Sequence, residues 1–109
     1  MPVEKWSDTV VVVRLSDDPQ FSEDLDALET TLSNNDVDVV LDLSNVHYIN
    51  SSNIAKLLKI RKIVITKDLR LVLCAVNTQI WGAFLVTGLD KIFTFADNVT
   101  MGLTMVQIG

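Results

Sequence analysis

The chain has 109 residues, 49% of them hydrophobic, with four Gly, two Pro and a net charge of −5. That length suits one domain with a single core over residues 1–109, and the composition excludes a disordered chain. The acidic balance argues against general nucleic-acid binding, and no apolar run approaches the roughly 18 residues that a membrane span needs.

In chain order, MPVEKWSDT lacks the charged-then-apolar order of a signal peptide, which points to a cytosolic protein. Val3–Trp6 reads as a short edge strand, and the β-branched run Thr9–Leu15 as a well-buried one. Asp18-Pro19 suits a helix start, with Asp18 or Ser22 as its cap. Phe21, Leu25, Leu28 and Leu32 then fall at i, i+4, i+7 and i+11, one stripe of an amphipathic helix that Asn34, Asn35 and Asp36 end. Residues 37–43, VDVVLDL, form a second buried strand, and SNVHYIN is the loop that leaves it.

From Ser52 to Thr66 the pattern is helical again. Ile54 sits at the centre of an apolar face with Leu57, Leu58, Val64 and Ile65, while Lys56, Lys59, Lys62 and Thr66 form a polar stripe. Arg61 breaks that face and is expected to snorkel towards the helix end. Ile60 and Ile63 fall beside the lysines, either as scattered surface residues or as part of a docking patch. Leu69–Ala75 is a third long strand, with Cys74 in it as a small hydrophobe; a lone cysteine excludes an internal disulfide. Asn77 caps a short helix burying Ile80, Trp81, Phe84 and Leu85, with Gly88 just past its end. Lys91–Phe95 reads as the last strand. Asp97 or Asn98 caps a final helix with Val99, Leu103 and Val106 on one side. Strands alternating with helices predict an α/β domain with a mostly parallel or mixed sheet of four to five strands and about four helices.

Charge is segregated along the chain. Six acids and no base lie between Asp17 and Glu29, whereas six of the nine bases lie between Lys56 and Arg70. Such polarity either orients a charged partner or marks two solvated helix faces. Catalytic patterns are thin: there is one His, no GxSxG elbow, no GxxxxGK[ST] and no GxGxxG, so an enzyme is disfavoured and no metal or cofactor is called for. What remains is Ser51-Ser52 at a helix N-terminus, outside the carboxyl end of a strand, where sites gather in open sheets. The free N–H groups there suit a hydroxyl cap, and equally a phosphate carried on Ser51.

Two segments resemble a known family. DLSNVHYINSSNIAKLLKIRK resembles the central segment of STAS domains, the family of bacterial anti-sigma-factor antagonists, in which Asp-Ser-Ser/Thr-Gly opens an apolar helix. VLCAVNTQIWGAFLVTGLDKIFTF is similar to the family's strand, helix and TGL-x-K-hydrophobic-F ending, and the two together span most of Val10–Val106. The resemblance implies a non-catalytic domain without a cofactor, whose partner is an anti-sigma factor that is also a serine kinase, or a related signalling protein. It implies Ser51 as phosphoacceptor with Ser52 as its neighbour, and the loop Ser16, Asp17, Asp18 as part of the partner surface. Asn50 stands where the family has Asp, Asn53 where it has Gly, and ITKDL where a glycine usually ends the second helix. Lys56, Lys59, Ile60 and Ile63 are the expected anchor and basic rim of that surface. The alternatives are a small-ligand, lipid-trafficking or transporter-associated module with a cavity lined by Trp81 and Phe84, and a self-associating module forming a weak homodimer. No nucleic acid and no membrane insertion are expected.

Overall fold

The computed structural model describes residues 3–108; Met1, Pro2 and Gly109 lie outside the described residues. Five strands and four α-helices follow in the order β1 (Val3–Lys5), β2 (Val10–Ser16), α1 (Gln20–Asn34), β3 (Asp38–Asn45), α2 (Ser51–Thr66), β4 (Leu71–Cys74), α3 (Thr78–Val86), a 3₁₀ turn (Leu89–Lys91), β5 (Thr94–Ala96) and α4 (Val99–Ile108). The sheet order is β1-β2-β3-β4-β5, with β1 antiparallel to β2 and the remaining pairs parallel. The α/β class and mixed five-stranded sheet are those expected. Lys91–Phe95 is corrected: Leu89–Lys91 is a 3₁₀ turn and the strand occupies Thr94–Ala96.

Because β2 to β5 are parallel and in sequence order, the crossovers α1, α2 and α3 all lie on one face of the sheet. Alternate strand residues serve the two faces. Val11, Val13, Leu15, Val39, Leu41, Leu43 and Leu73 join the core beneath those helices, together with the α1 stripe Phe21, Leu25, Leu28 and Leu32. Val10, Val12, Val40, Val72 and Cys74 face the other way and pack on α4 through Val106. Both faces are covered, which is why these strands read as continuous apolar runs.

Gly102 lets α4 approach that second face. A Cβ at this position would stand 2.4 Å from Cys74 Sγ and 3.2 Å from Val40 Cγ1, so the glycine is required by packing. The same burial pushes the Cys74 thiol up to about 11. Asp24 is the exception on α1: its sequence position suggests an exposed acid near the helix start, yet it is 5% exposed. Desolvation raises its carboxyl above the ordinary value of 3.8.

Helix α2 is rotated by about a quarter turn from its expected setting, at 100° per residue. Its buried residues are Asn53, Leu57, Ile60 and Val64, while Leu58 and Ile65 are exposed. Ile60, expected as a surface anchor, is 1% exposed, and Ile63 is partly buried against the main core. Ile60 is therefore not free to anchor a partner, whereas Ile63 keeps part of its surface open. The rotation brings the lysine stripe against α1, where Lys56 pairs with Asp26 at 2.6 Å and Lys59 with Glu29 at 3.1 Å. Lys67 reaches Asp36 and the Leu32 carbonyl at the far end. The segregated charge of the sequence therefore zips two neighbouring helices together. Lys59 keeps 62% of its side chain exposed while so paired.

Candidate functional site

Three loops meet at the carboxyl end of the parallel strands, after β2, β3 and β4. A register shift between Arg14 and Ser16, opposite β3, redirects the chain into the first loop and leaves Ser16 beside Asn45. The Asp18–Pro19 peptide that follows is cis. Asp17 and Asp18 then point to different partners in the second loop. Asp17 Oδ1 accepts the backbone N–H of His47 at 2.7 Å, and its Oδ2 lies 3.0 Å from His47 Nδ1. These bonds, the His47 backbone N–H foremost, hold its carboxyl below the ordinary value of 3.8.

Asp18 ties together two helix starts. Its Oδ1 accepts the amide and hydroxyl of Ser22 at 2.9 and 2.7 Å, completing the first turn of α1. Its Oδ2 accepts Asn53 Nδ2 at 2.8 Å. The Asn53 amide is the leading reason that the Asp18 carboxyl also lies below 3.8. Pro19 occupies the cap position rather than the first helical one, and Ser22 lies within the helix.

The start of α2 differs from the sequence expectation in one respect that bears on function. The cap is Asn50, not a serine. Asn50 Oδ1 accepts the Asn53 amide at 2.8 Å, and Asn53 Oδ1 accepts the Asn50 amide at 3.2 Å, a reciprocal capping box. Ser51 is thus the first helical residue and Ser52 the second. Both are exposed, and no hydrogen bond of the described residues uses either hydroxyl. Asn53 is 1% exposed, so the side chain found here in place of glycine lies inside the loop cluster.

The third loop is fastened by Asn77. Its Oδ1 caps α3 by accepting the amides of Gln79 and Ile80, and its Nδ2 donates to the Val46 carbonyl at 2.6 Å. Ala75, at the end of β4, adopts a left-handed φ of 58°. Sequence reasoning identified Asn77 as a cap but not as the link to the loop preceding Ser51. It also passed over Tyr48, which is 50% exposed three residues before Ser51, with its hydroxyl 3.4 Å from the Asp18 carbonyl. An aromatic in a polar loop was the available signal.

The structure therefore brings Ser16, Asp17, Asp18, Asn50, Ser51, Ser52 and Asn53 to one end of the sheet. Lys56 and Lys59 follow on α2 and pair with α1, Ile60 belongs to the interior, and Ile63 is partly buried against it. The expected Trp81–Phe84 cavity is also corrected. Phe84 is a core residue, whereas Trp81 lines an open hollow of about 220 Å³ with Val76, Phe95, Ala96 and Asp97. Among the described residues no helix is long and apolar enough to cross a membrane.

Comparison with curated protein sequences gave no match. Solved structures share the fold at low identity. A proposed anti-sigma factor antagonist from Thermotoga maritima superposes with a TM-score of 0.82 at 19% identity, over 97% of this chain and 93% of the other. An anti-sigma-factor antagonist (STAS) domain protein from Planctomyces limnophilus gives 0.80 at 16%, over 93% of each chain. The Bacillus cell fate determinant SpoIIAA gives 0.73 in its phosphorylated form, at 16% identity, over 95% of this chain and 96% of the other. In its unphosphorylated form, an anti-sigma factor antagonist, it gives 0.82 at 16%, over 96% and 94%. The profile of the STAS domain matches residues 5–101, nearly the whole described chain, and the protein belongs to the STAS domain family.

Proposed function

We propose that this STAS domain is a non-catalytic component of a phosphorylation switch. It binds a protein partner, an anti-sigma factor with serine-kinase activity or a related signalling protein, through the loop end around Ser51. Phosphorylation of Ser51 releases that partner. In this reading the domain works in the bacterial cytosol, in transcriptional control. The observation that carries it is the exposed Ser51 hydroxyl, left unused because Asn50 and Asn53 already cap α2.

The chemistry follows from that position. A phosphoserine adds close to two negative charges at pH 7. At the first helical position it meets the positive end of the α2 dipole and amides that lack intrahelical acceptors, so the fold tolerates it. A partner surface fitted to neutral Asn50, Ser51, Ser52 and Tyr48 must instead desolvate the dianion, which opposes binding. Asp17 and Asp18 act by holding the loops in place, since their carboxylates are engaged within the site.

Incubation of the purified domain with ATP and a bacterial lysate tests this. Intact-mass measurement should show the addition of one phosphoryl group, mapped to Ser51 and abolished in Ser51→Ala. Phosphate on Ser52 or Thr66 alone, or none at all, contradicts the assignment.

A further inference from the structure

Arg61 interrupts an otherwise apolar flank of α2, between Leu58 and Ile65. Its Nε donates to the Ile92 carbonyl at 3.3 Å, which holds the guanidinium across the gap from α2 to the end of the 3₁₀ turn before β5. Among the described residues, no hydrogen bond or ion pair uses its two terminal nitrogens. They border a partly enclosed cavity of about 240 Å³ whose walls include Ile65, Leu71, Phe93 and Met105, with Arg70 as a second cation. Among the described residues no acid lines it; the Asp38 carboxylate nearby accepts the Arg70 backbone N–H at 2.9 Å. The flanking Ile65 and Ile92 are 51% and 42% exposed.

We infer that this cavity binds a small monocarboxylate with a short apolar tail. The guanidinium fork of Arg61 matches a carboxylate, and the fixed Nε contact leaves the terminal nitrogens to make that pair. Phe93, Met105 and Leu71 offer the tail an apolar wall. The volume is below the roughly 300–1,000 Å³ of sites for drug-sized ligands, which sets the ligand as a short chain rather than a lipid. On a chain of net charge −5, a cavity bordered by the Arg61 guanidinium, with no acid among its described lining residues, is a place where an anion is favoured. The site lies towards the opposite end of α2 from Ser51, with Arg61 about 15 Å and Ile65 about 21 Å along the axis at 1.5 Å per residue, and does not depend on the switch.

Titration of the ¹⁵N-labelled protein with hexanoate, hexan-1-ol and acetate tests the inference. Hexanoate should give saturable shifts at Ile65, Leu71, Phe93, Thr94 and Met105. Both hexan-1-ol and acetate should bind at least about tenfold more weakly, the loss expected for removing a charged hydrogen-bond pair or the buried tail. Arg61→Gln should weaken hexanoate about tenfold, and Arg61→Lys less. Equal binding of hexanoate and hexan-1-ol, shifts scattered away from these residues, or an unchanged affinity in Arg61→Gln overturns the site. Should Arg61→Gln not fold, the comparison of the three probes on the wild-type protein decides.

Discussion

At the scale of single residues, the start of α2 is governed by two asparagines and an aspartate. Asn50 and Asn53 cap each other, and Asn53 carries the connection on to Asp18. Asn50→Ala should lower stability by about 1 kcal/mol, as loss of an N-cap does, and Asn53→Ala by about 1–3 kcal/mol because it strips a buried partner from Asp18. Ser51→Ala should stay within about 0.5 kcal/mol of the wild type. Urea unfolding of the three variants distinguishes this order from one in which serine is the cap. The carboxylates add a pH signature. Asp17 and Asp18 have folded values below 3.8, so their contribution is complete above that value and is lost as pH falls through the lower folded ones. Asp24, raised by burial, has the opposite sign: its charge opposes folding at neutral pH. The stability advantage of Asp24→Asn at pH 7 should therefore shrink as pH falls through the raised value towards 3.8, measured by unfolding at several pH values.

At the scale of elements, the legible and illegible parts of the sequence separate by cause. The α1 stripe was legible because four large apolar residues at helical spacing leave one solution, and all four are buried. The phase of α2 was not, because Ile54, Leu57, Leu58, Ile60, Ile63, Val64 and Ile65 surround most of the helix. The face that buries Leu57, Ile60 and Val64 also aligns Lys56 and Lys59 with the acids of α1, a tertiary match that periodicity does not contain. Likewise the missing glycine after α2 has a replacement visible only in three dimensions. Asp68 takes the left-handed φ of 59°, and its amide and that of Leu69 return to Ile65 and Val64 at 2.9 Å. Asp68→Gly should gain about 0.5–1 kcal/mol, measured by urea unfolding. Gly102 is unfavourable within a helix by propensity alone, yet it is the close contact that seats α4. Gly102→Ala should cost about 1–3 kcal/mol by overpacking against Cys74. Combined with Cys74→Ala it should cost less than the sum of the two single changes, since each relieves the other.

At the scale of the molecule, the sheet separates two ends. The carboxyl end carries three loops tied by Asp17, Asp18, Asn53 and Asn77 around exposed Ser51 and Tyr48. The amino end carries the arginine-lined cavity. The location of the switch end was legible, because strand-loop-helix order and the SSN motif both point there. The ties were not, because they join residues about thirty positions apart, as Asp18 and Asn53 do. Self-association gives a concentration-dependent size and is checked by sizing at several concentrations. The central claim is that charge on Ser51 governs partner binding without disturbing the fold. It is tested most directly by quantifying, by mass spectrometry, the proteins that co-purify with wild-type, Ser51→Ala and Ser51→Asp domains from a bacterial lysate, alongside their melting temperatures. The account predicts a partner retained by the wild type and Ser51→Ala and lost from Ser51→Asp, with melting temperatures within about 2 °C of one another. A complex of undiminished strength with Ser51→Asp would contradict it.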